Sequence, residues 1–276
     1  MSFDPRTTLI RDGRASVALE GLVPAAAYVK PTTRQLATPA AAIRREPRPD
    51  AEQMDQLLFG ELFDVLEEQG GWAFGQARRD GYVGFVEASA LGDVAETTHF
   101  VSALRTYAFS EANIKSAPVG LYSMNALVAV EAREGRFAKG AGTGWFIEEH
   151  LTPLGVALTD HAEVAERFLG APYQWGGRES LGLDCSGLVQ QALYACGKAC
   201  PRDSDQQAVL GEAVAGNRLE RGDLVFWKGH VAIVTGDNAI LHANAHHMMV
   251  AREPLDAAIA RIRAAGAGEP TAYRRP

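Results

Sequence analysis

The stretch Tyr173 to Val189, Y-Q-W-G-G-R-E-S-L-G-L-D-C-S-G-L-V, constrains this chain more than any other. From Ser186 onward Leu188, Val189, Ala192, Leu193 and Cys196 recur at helical spacing, and Gly197 stops the run. Pro172 and the glycines at 176, 177 and 182 describe an irregular approach, and Asp184 is a good N-cap. Cys185 therefore sits at a helix start. Free backbone N–H groups and the positive end of the helix dipole favour an anion there. The spacing thus predicts a thiol that ionises more readily than the ordinary value of about 8.5.

A thiolate needs a general base in hydrogen-bond reach and a third group to orient that base. Asp223 to Trp227 reads as a strand, followed by His230 to Val234, the turn signal Thr235-Gly-Asp-Asn238, and Ala239 to His242. Two histidines lie on the two arms of this hairpin. Residues directly opposite in an antiparallel pair share a face. Setting His230 opposite His242 pairs 231 with 241 and 234 with 238 and leaves an odd, three-residue loop, with a bulge expected at Gly236 or Asp237. An even loop would send the imidazoles to opposite faces.

Together Y-x-W-G-G, D-C-S-G-L-V-Q, P-R-D-S-x-Q-Q (Pro201 to Gln207), R-G-D-L-V-F-W, H-V-A-I-V and L-H-A-N resemble the NlpC/P60 family of papain-like cysteine peptidases. The resemblance runs continuously over residues 160 to 255. It implies an α+β fold in which a helix packs on an antiparallel sheet, and an enzyme that cuts peptidoglycan stem peptides. It also implies that Cys185 is the nucleophile, His230 the general base and acid, and His242 the residue orienting His230. Tyr173 matches an aromatic hydroxyl near the oxyanion, beside the backbone N–H of Cys185. Asp184, Ser186, Asp203 and Ser204 match positions on the substrate side, with Trp175 among the substrate-binding residues as a wall aromatic. A carboxylate at 184 opposes ionisation of the thiol and is expected to be there for a substrate ammonium.

Each residue has an ordinary alternative. Cys185 reads as a buried structural thiol, His230 as a strand end, His242 as a packed edge residue, Tyr173 as a wall aromatic, and Asp203 and Ser204 as loop and helix-cap residues after Pro201. His242, His246 and His247 raise zinc as an option. The reading prefers a turn there and expects neither metal nor cofactor.

Upstream, short apolar runs separated by turn signals suggest small β-barrels: Gly60 to Leu66, Gln69 to Phe74 and Asp80 to Val86. Asn125 to Glu131, Glu134 to Ala138 and Gly142 to Ile147 echo them, and Thr33 to Leu36 and Thr98 to Val101 stand 65 apart. This motif order resembles bacterial SH3-type domains. The expected organisation is an extension over 1–34, SH3-like barrels over 35–92 and 93–152, and a catalytic domain over 153–276. The combination resembles cytoplasmic γ-D-glutamyl-L-diamino acid endopeptidases. In that group the first barrel helps select substrates with a free N-terminal L-alanine, and Glu61 and Tyr82 match its contributions. Glu61 reads equally as a solvated strand residue and Tyr82 as barrel core.

The formal charge of −7 argues against nucleic acid or an anionic membrane as partners; the partner the resemblance implies is a small muropeptide substrate. Three cysteines leave at least one thiol unpaired, and Cys196 lies about 16 Å from Cys185 along a helix, too far for a disulfide. Met1 to Arg14 has no apolar segment, and no run approaches eighteen apolar residues, so a cytoplasmic location is expected. Leu255, Ala258, Ile259 and Ile262 predict a C-terminal packing helix, and Ala264 to Pro276 reads as a loosely held end. Three functions fit. One is a cysteine endopeptidase cutting the γ-D-glutamyl bond to diaminopimelate or lysine in free muropeptides. The second is an amidase or acyltransferase of the same fold, and the third a non-catalytic wall-fragment binder.

Overall fold

The computed structural model describes residues 3–276, which divide into two compact units, 1–154 and 155–276. In the first, seven strands between Thr32 and Gly92 form one sheet. The strands between His99 and Pro153 repeat its pairings in the same order, split between a three-stranded and a five-stranded sheet. The repeat is spatial as well as sequential. Buried Leu36, Ile43, Leu57, Phe63 and Ala73 of one core are matched, 65 positions on, by Val101, Ala108, Tyr122, Val128 and Ala138 of the other. Gly60 and Asn125 share a left-handed backbone (φ 78° and 69°), as do Gly70 and Gly135 (φ 60° and 59°). The two copies meet at the first of these turns, where the Leu127 N–H donates to the Phe59 carbonyl and Phe59 enters the second core.

The segment before Thr32 is not a bare extension. Ile10–Arg11, Arg14–Ser16 and Ala27–Val29 form a small sheet, and Leu9 packs with Leu66, Phe74, Val83 and Phe85 of the first copy. The Arg11 guanidinium lies 4.5 Å from the centre of the Phe85 ring.

The second unit is a helix on a six-stranded antiparallel sheet. Its strand order is Glu212–Ala213, Ala272–Arg275, Leu224–Trp227, His230–Gly236, Ala239–Asn244 and Met249–Pro254. The helix Cys185–Ala195 is buried along its whole length and packs on the His230 and Ala239 strands, which is why its apolar residues are not confined to one stripe. Gly197, at φ 70°, lies just past its end. The C-terminal helix Leu255–Ala264 buries Leu255, Ala258 and Ile262 against Val225, Trp227, Ala232, Val234 and Ile240.

The expectation of a loose end after Ala264 is overturned. Ala272–Arg275 is an internal strand, paired on one side with Leu224–Trp227, and Arg275 holds the buried Asp223 carboxylate through two hydrogen bonds of 2.8 and 2.9 Å. Its four residues, Ala-Tyr-Arg-Arg, show no apolar alternation, so no strand signal is visible there in the sequence. Among the described residues, no helix is long and apolar enough to cross a membrane.

At Gly60 the left-handed backbone coincides with a close approach, since an added Cβ would overlap the Leu127 carbonyl, whereas at Gly135 it would meet open space. Gly60→Ala should therefore lower the unfolding free energy by roughly 2–4 kcal/mol, backbone strain plus overpacking, against about 1 kcal/mol for Gly135→Ala. Denaturant unfolding of the two variants measures the difference.

Candidate active site

The glycines of the approach let it run against the first turn of the Cys185 helix. A Cβ on Gly187 would overlap the Gly177 carbonyl, and one on Gly177 the Gly182 carbonyl. Asp184 caps the helix: Oδ1 accepts the Gly187 N–H at 2.8 Å, while Oδ2 accepts the Gly176 N–H at 2.9 Å. Arg202 then closes both oxygens, Nη1 on Oδ1 at 3.0 Å and Nη2 on Oδ2 at 2.6 Å. The pair is withdrawn from water, with the side chains 1% and 8% exposed. The sequence expectation sets Asp184 against a substrate ammonium; the cation the structure sets against it is Arg202. Ser186 belongs to the same knot, donating to Asp184 Oδ1 and accepting from Arg202 Nη1 at 2.8 Å. The sequence displayed Arg202 inside P-R-D-S without showing its role, because its partner lies eighteen residues away.

The two imidazoles meet, by a different register from the one expected. Ile233 pairs with Leu241 and Val234 with Ile240, but Gly236 pairs with Ala239. The turn is therefore the two residues Asp237 and Asn238, both left-handed (φ 50° and 53°), and Thr235 is a bulge. Continued along the ladder, this register sets His242 opposite Ala232, the next residue on the face of His230. His230 Nε2 lies 2.7 Å from His242 Nδ1. On the strand beyond, Glu253 stands two residues from Ala251, the partner of His242, and its Oε1 accepts from His242 Nε2 at 2.7 Å. Arg261 of the C-terminal helix is ion-paired to the same carboxylate. Sequence reasoning missed both Glu253 and Arg261, because only the register of a further strand and the packing of a helix bring them to His242.

Cys185 sits beside the start of the His230 strand, where the backbone N–H groups of Val231 and Ser186 favour its anion. They do not prevail. Burial, and then the Asp184 charge, push the thiol up to about 12. Burial also takes His230 down to about 3, helped by His242, and His242 to about 4 against the opposing pull of Glu253. The expectation of an easily ionised thiol is thus reversed: the helix terminus is outweighed by desolvation. Burial thus acts on both groups in the same sense, favouring the neutral thiol and the neutral imidazole.

Tyr173 is half-buried, and burial followed by the charges of Cys185 and Asp184 raises its pKa, which keeps the phenol protonated. Trp175 is 61% exposed, an open aromatic rather than a packed one. Asp203 is the N-cap of the short helix Ser204–Gln207, in a capping box with Gln206. Glu61 and Tyr82 belong to the other unit. Both are buried, and Glu61 pairs with Arg79 at 2.9 Å and accepts the Leu58 N–H at 3.0 Å. The reading of Glu61 as a solvated residue is therefore corrected. Among the described residues, those whose ligand atoms converge are His242, His247 and Glu253, within 4.8 Å of one another, not the run 242, 246 and 247 that raised zinc as an option in the sequence. Glu253 there already carries Arg261.

Residues 170–265 match the model of the NlpC/P60 family, and residues 43–91 that of the bacterial dipeptidyl-peptidase SH3 domain. The chain is 30% identical over 210 residues to a γ-D-glutamyl-L-lysine dipeptidyl-peptidase of Bacillus subtilis, covering 68% of this chain and 71% of that one. It is 26% identical to dipeptidyl-peptidase 6 of Lysinibacillus sphaericus, over 74% of this chain and 84% of that protein. A crystal structure of an NlpC/P60 family protein from Bacillus cereus shares the fold, with a TM-score of 0.75 at 20% identity over 88% of this chain and 99% of that one.

Arg202→Ala would leave the Asp184 charge buried and unpaired, so it should cost about 3–5 kcal/mol of stability, and replacing both members together should cost less than replacing Arg202 alone. Thermal or denaturant unfolding of the single and double variants tests this. The pKa directions make a second prediction. With the thiol raised and His230 lowered, the ultraviolet thiolate difference between the wild type and Cys185→Ser should be absent at pH 7 and grow only in strongly alkaline solution. A plateau reached below pH 6 would mean a preformed thiolate–imidazolium pair.

Proposed function

Because this chain belongs to the NlpC/P60 family and is a cysteine peptidase, we propose that it hydrolyses the bond from the γ-carboxyl of D-glutamate to a diamino acid in free muropeptides. In this reading the diamino acid is diaminopimelate or lysine, and the peptide carries a free N-terminal L-alanine. The observation that supports the chemistry most directly is the 2.7 Å contact of His230 Nε2 with His242 Nδ1, which occupies one ring nitrogen of His230 and, in this reading, leaves Nδ1 to serve as the base. The name of the Bacillus subtilis relative supports the choice of bond.

The steps follow from the resting protonation. His230 Nδ1 takes the thiol proton as the sulfur attacks the γ-carbonyl carbon, so neither charge stands alone in the buried site. The oxyanion forms within reach of the Cys185 backbone N–H and the protonated Tyr173 hydroxyl. When the tetrahedral species collapses, the C–N bond breaks and the His230 imidazolium protonates the leaving amine, giving a thioester to the γ-carbonyl. Water, its proton taken by His230, then releases the L-alanyl-D-glutamate and returns the proton to sulfur.

The 65-residue offset of buried and left-handed positions supports reading both halves of the first unit, 35–92 and 93–152, as SH3-like barrels placed before a catalytic domain at 153–276. The free thiols of Cys185, Cys196 and Cys200 fit a reducing compartment and a role in recycling wall fragments rather than cutting assembled wall.

Incubation with L-Ala-γ-D-Glu-diaminopimelate should release free diaminopimelate, and Cys185→Ala should lower that rate by at least about 10³-fold. An N-acetylated tripeptide should react much more slowly. Equal rates on both peptides would remove the amine requirement, and release undiminished in Cys185→Ala would remove the mechanism.

A further inference from the structure

The established pieces leave one problem open at the third position. An amide side chain there would have a fixed donor and a fixed acceptor end, but an imidazole can run in either direction. If His242 carried its proton on Nδ1, it would donate to His230 Nε2, and the His230 proton would sit on Nδ1, facing the thiol. Such a His230 cannot act as base.

We propose that Glu253, clamped by Arg261, is a positioning residue that sets the tautomers of both histidines and so gives the proton relay its direction. A carboxylate only accepts. Its Oε1, 2.7 Å from His242 Nε2, therefore requires the His242 proton on Nε2. His242 Nδ1 is then an acceptor, and across 2.7 Å it takes the proton of His230 Nε2. His230 Nδ1 is left bare.

The anionic state of Glu253 is itself built in. Burial acts to raise its pKa, but the hydrogen bond to Arg261 and the contact with His242 overcome this and hold it below the usual range. Arg261 reaches Glu253 from the C-terminal helix, whose Ala258 and Ile262 are anchored on the sheet. The charged or titratable groups facing His242 are Glu253, Arg261, His247 and His230, and Asp184 also acts on His230. Among these, the anion that touches His242 is Glu253.

The inference rests on His230 being the base, and its test is arranged to fail separately from that reading. Histidine tautomers are read first, by nitrogen NMR of labelled protein carrying Cys185→Ser, with no substrate present. His230 should be protonated at Nε2 and bare at Nδ1, and Glu253→Gln, whose amide can donate to His242, should move protons to Nδ1. In the enzyme with Cys185 intact, Glu253→Gln should lower kcat about 100-fold with KM nearly unchanged, and Glu253→Asp should recover most of the loss. If Glu253→Gln does not fold, Arg261→Met, which leaves the carboxylate in place but unclamped, is read in the same two ways and should give a smaller shift of the same sign. Nδ1 protonation of His230 in the parent protein, an unchanged tautomer in the variant, or a kcat within about twofold of the parent would each overturn the proposal. Absence of peptidase activity in the parent protein would instead overturn the assigned substrate and leave the tautomer result standing.

Discussion

One residue out of step, Thr235, decides whether the two imidazoles of this hairpin can meet. With the two-residue turn Asp237-Asn238 and no bulge, the ladder that pairs Gly236 with Ala239 would place His230 and His242 on opposite faces of the sheet. The bulge shifts the count by one and returns both to one face, diagonal to each other, where the ring nitrogens meet. A tight left-handed turn and a same-face histidine pair are incompatible in a regular hairpin, and the inserted residue resolves the conflict. The following strand, regular from Ala239–Pro254 to Asn244–Met249, then carries Glu253 to the far side of His242 without further adjustment.

Two buried or half-buried carboxylates flank this centre, and each is closed by an arginine. Asp184 with Arg202 fixes the start of the Cys185 helix, and Glu253 with Arg261 fixes the outer histidine. Such pairs return little net stability once the loss of hydration is counted, and an apolar replacement would pack as well. What they supply is direction. A planar guanidinium fork holds a carboxylate in one orientation, and the carboxylate in turn fixes which backbone N–H or ring nitrogen must carry a proton. At Asp184 this orients the glycine-rich approach, through Gly176 and Gly187.

The helix, the hairpin and the placement of Cys185 at a helix start were legible in the sequence because their signals are local: an N-cap before an apolar run, a Gly-Asp-Asn turn, two histidines on its arms. The 65-residue repeat was legible too, since Gly60 and Gly70 and their counterparts Asn125 and Gly135 are demanded by left-handed backbone. What failed was pairwise and long-range. Arg202 was visible but its claim on Asp184 was not, so a free carboxylate was expected where a neutralised one stands. The strand Ala272–Arg275 has no hydrophobic alternation, because its value to the fold lies in backbone pairing and in Arg275 reaching Asp223. The sequence shows the helix terminus and the opposing Asp184 at the thiol but not its burial, which is the larger influence.

That influence bears on how such a site can react. A preformed ion pair would need two charges held in a volume from which burial excludes both, and the structure moves each group toward its neutral form. Charge is then generated only while the carbon–sulfur bond is forming, when the negative end is leaving sulfur for the carbonyl oxygen. On the proposed mechanism, the buried Asp184 then ceases to be a penalty on the thiolate, because the anion moves toward the carbonyl oxygen, for which Tyr173, whose raised pKa keeps it a donor, is the proposed partner. In the same proposal the imidazolium formed at His230 is met through His242 by Glu253. The arrangement that makes the resting thiol a poor acid is therefore the same arrangement that favours the charge distribution of the transition state.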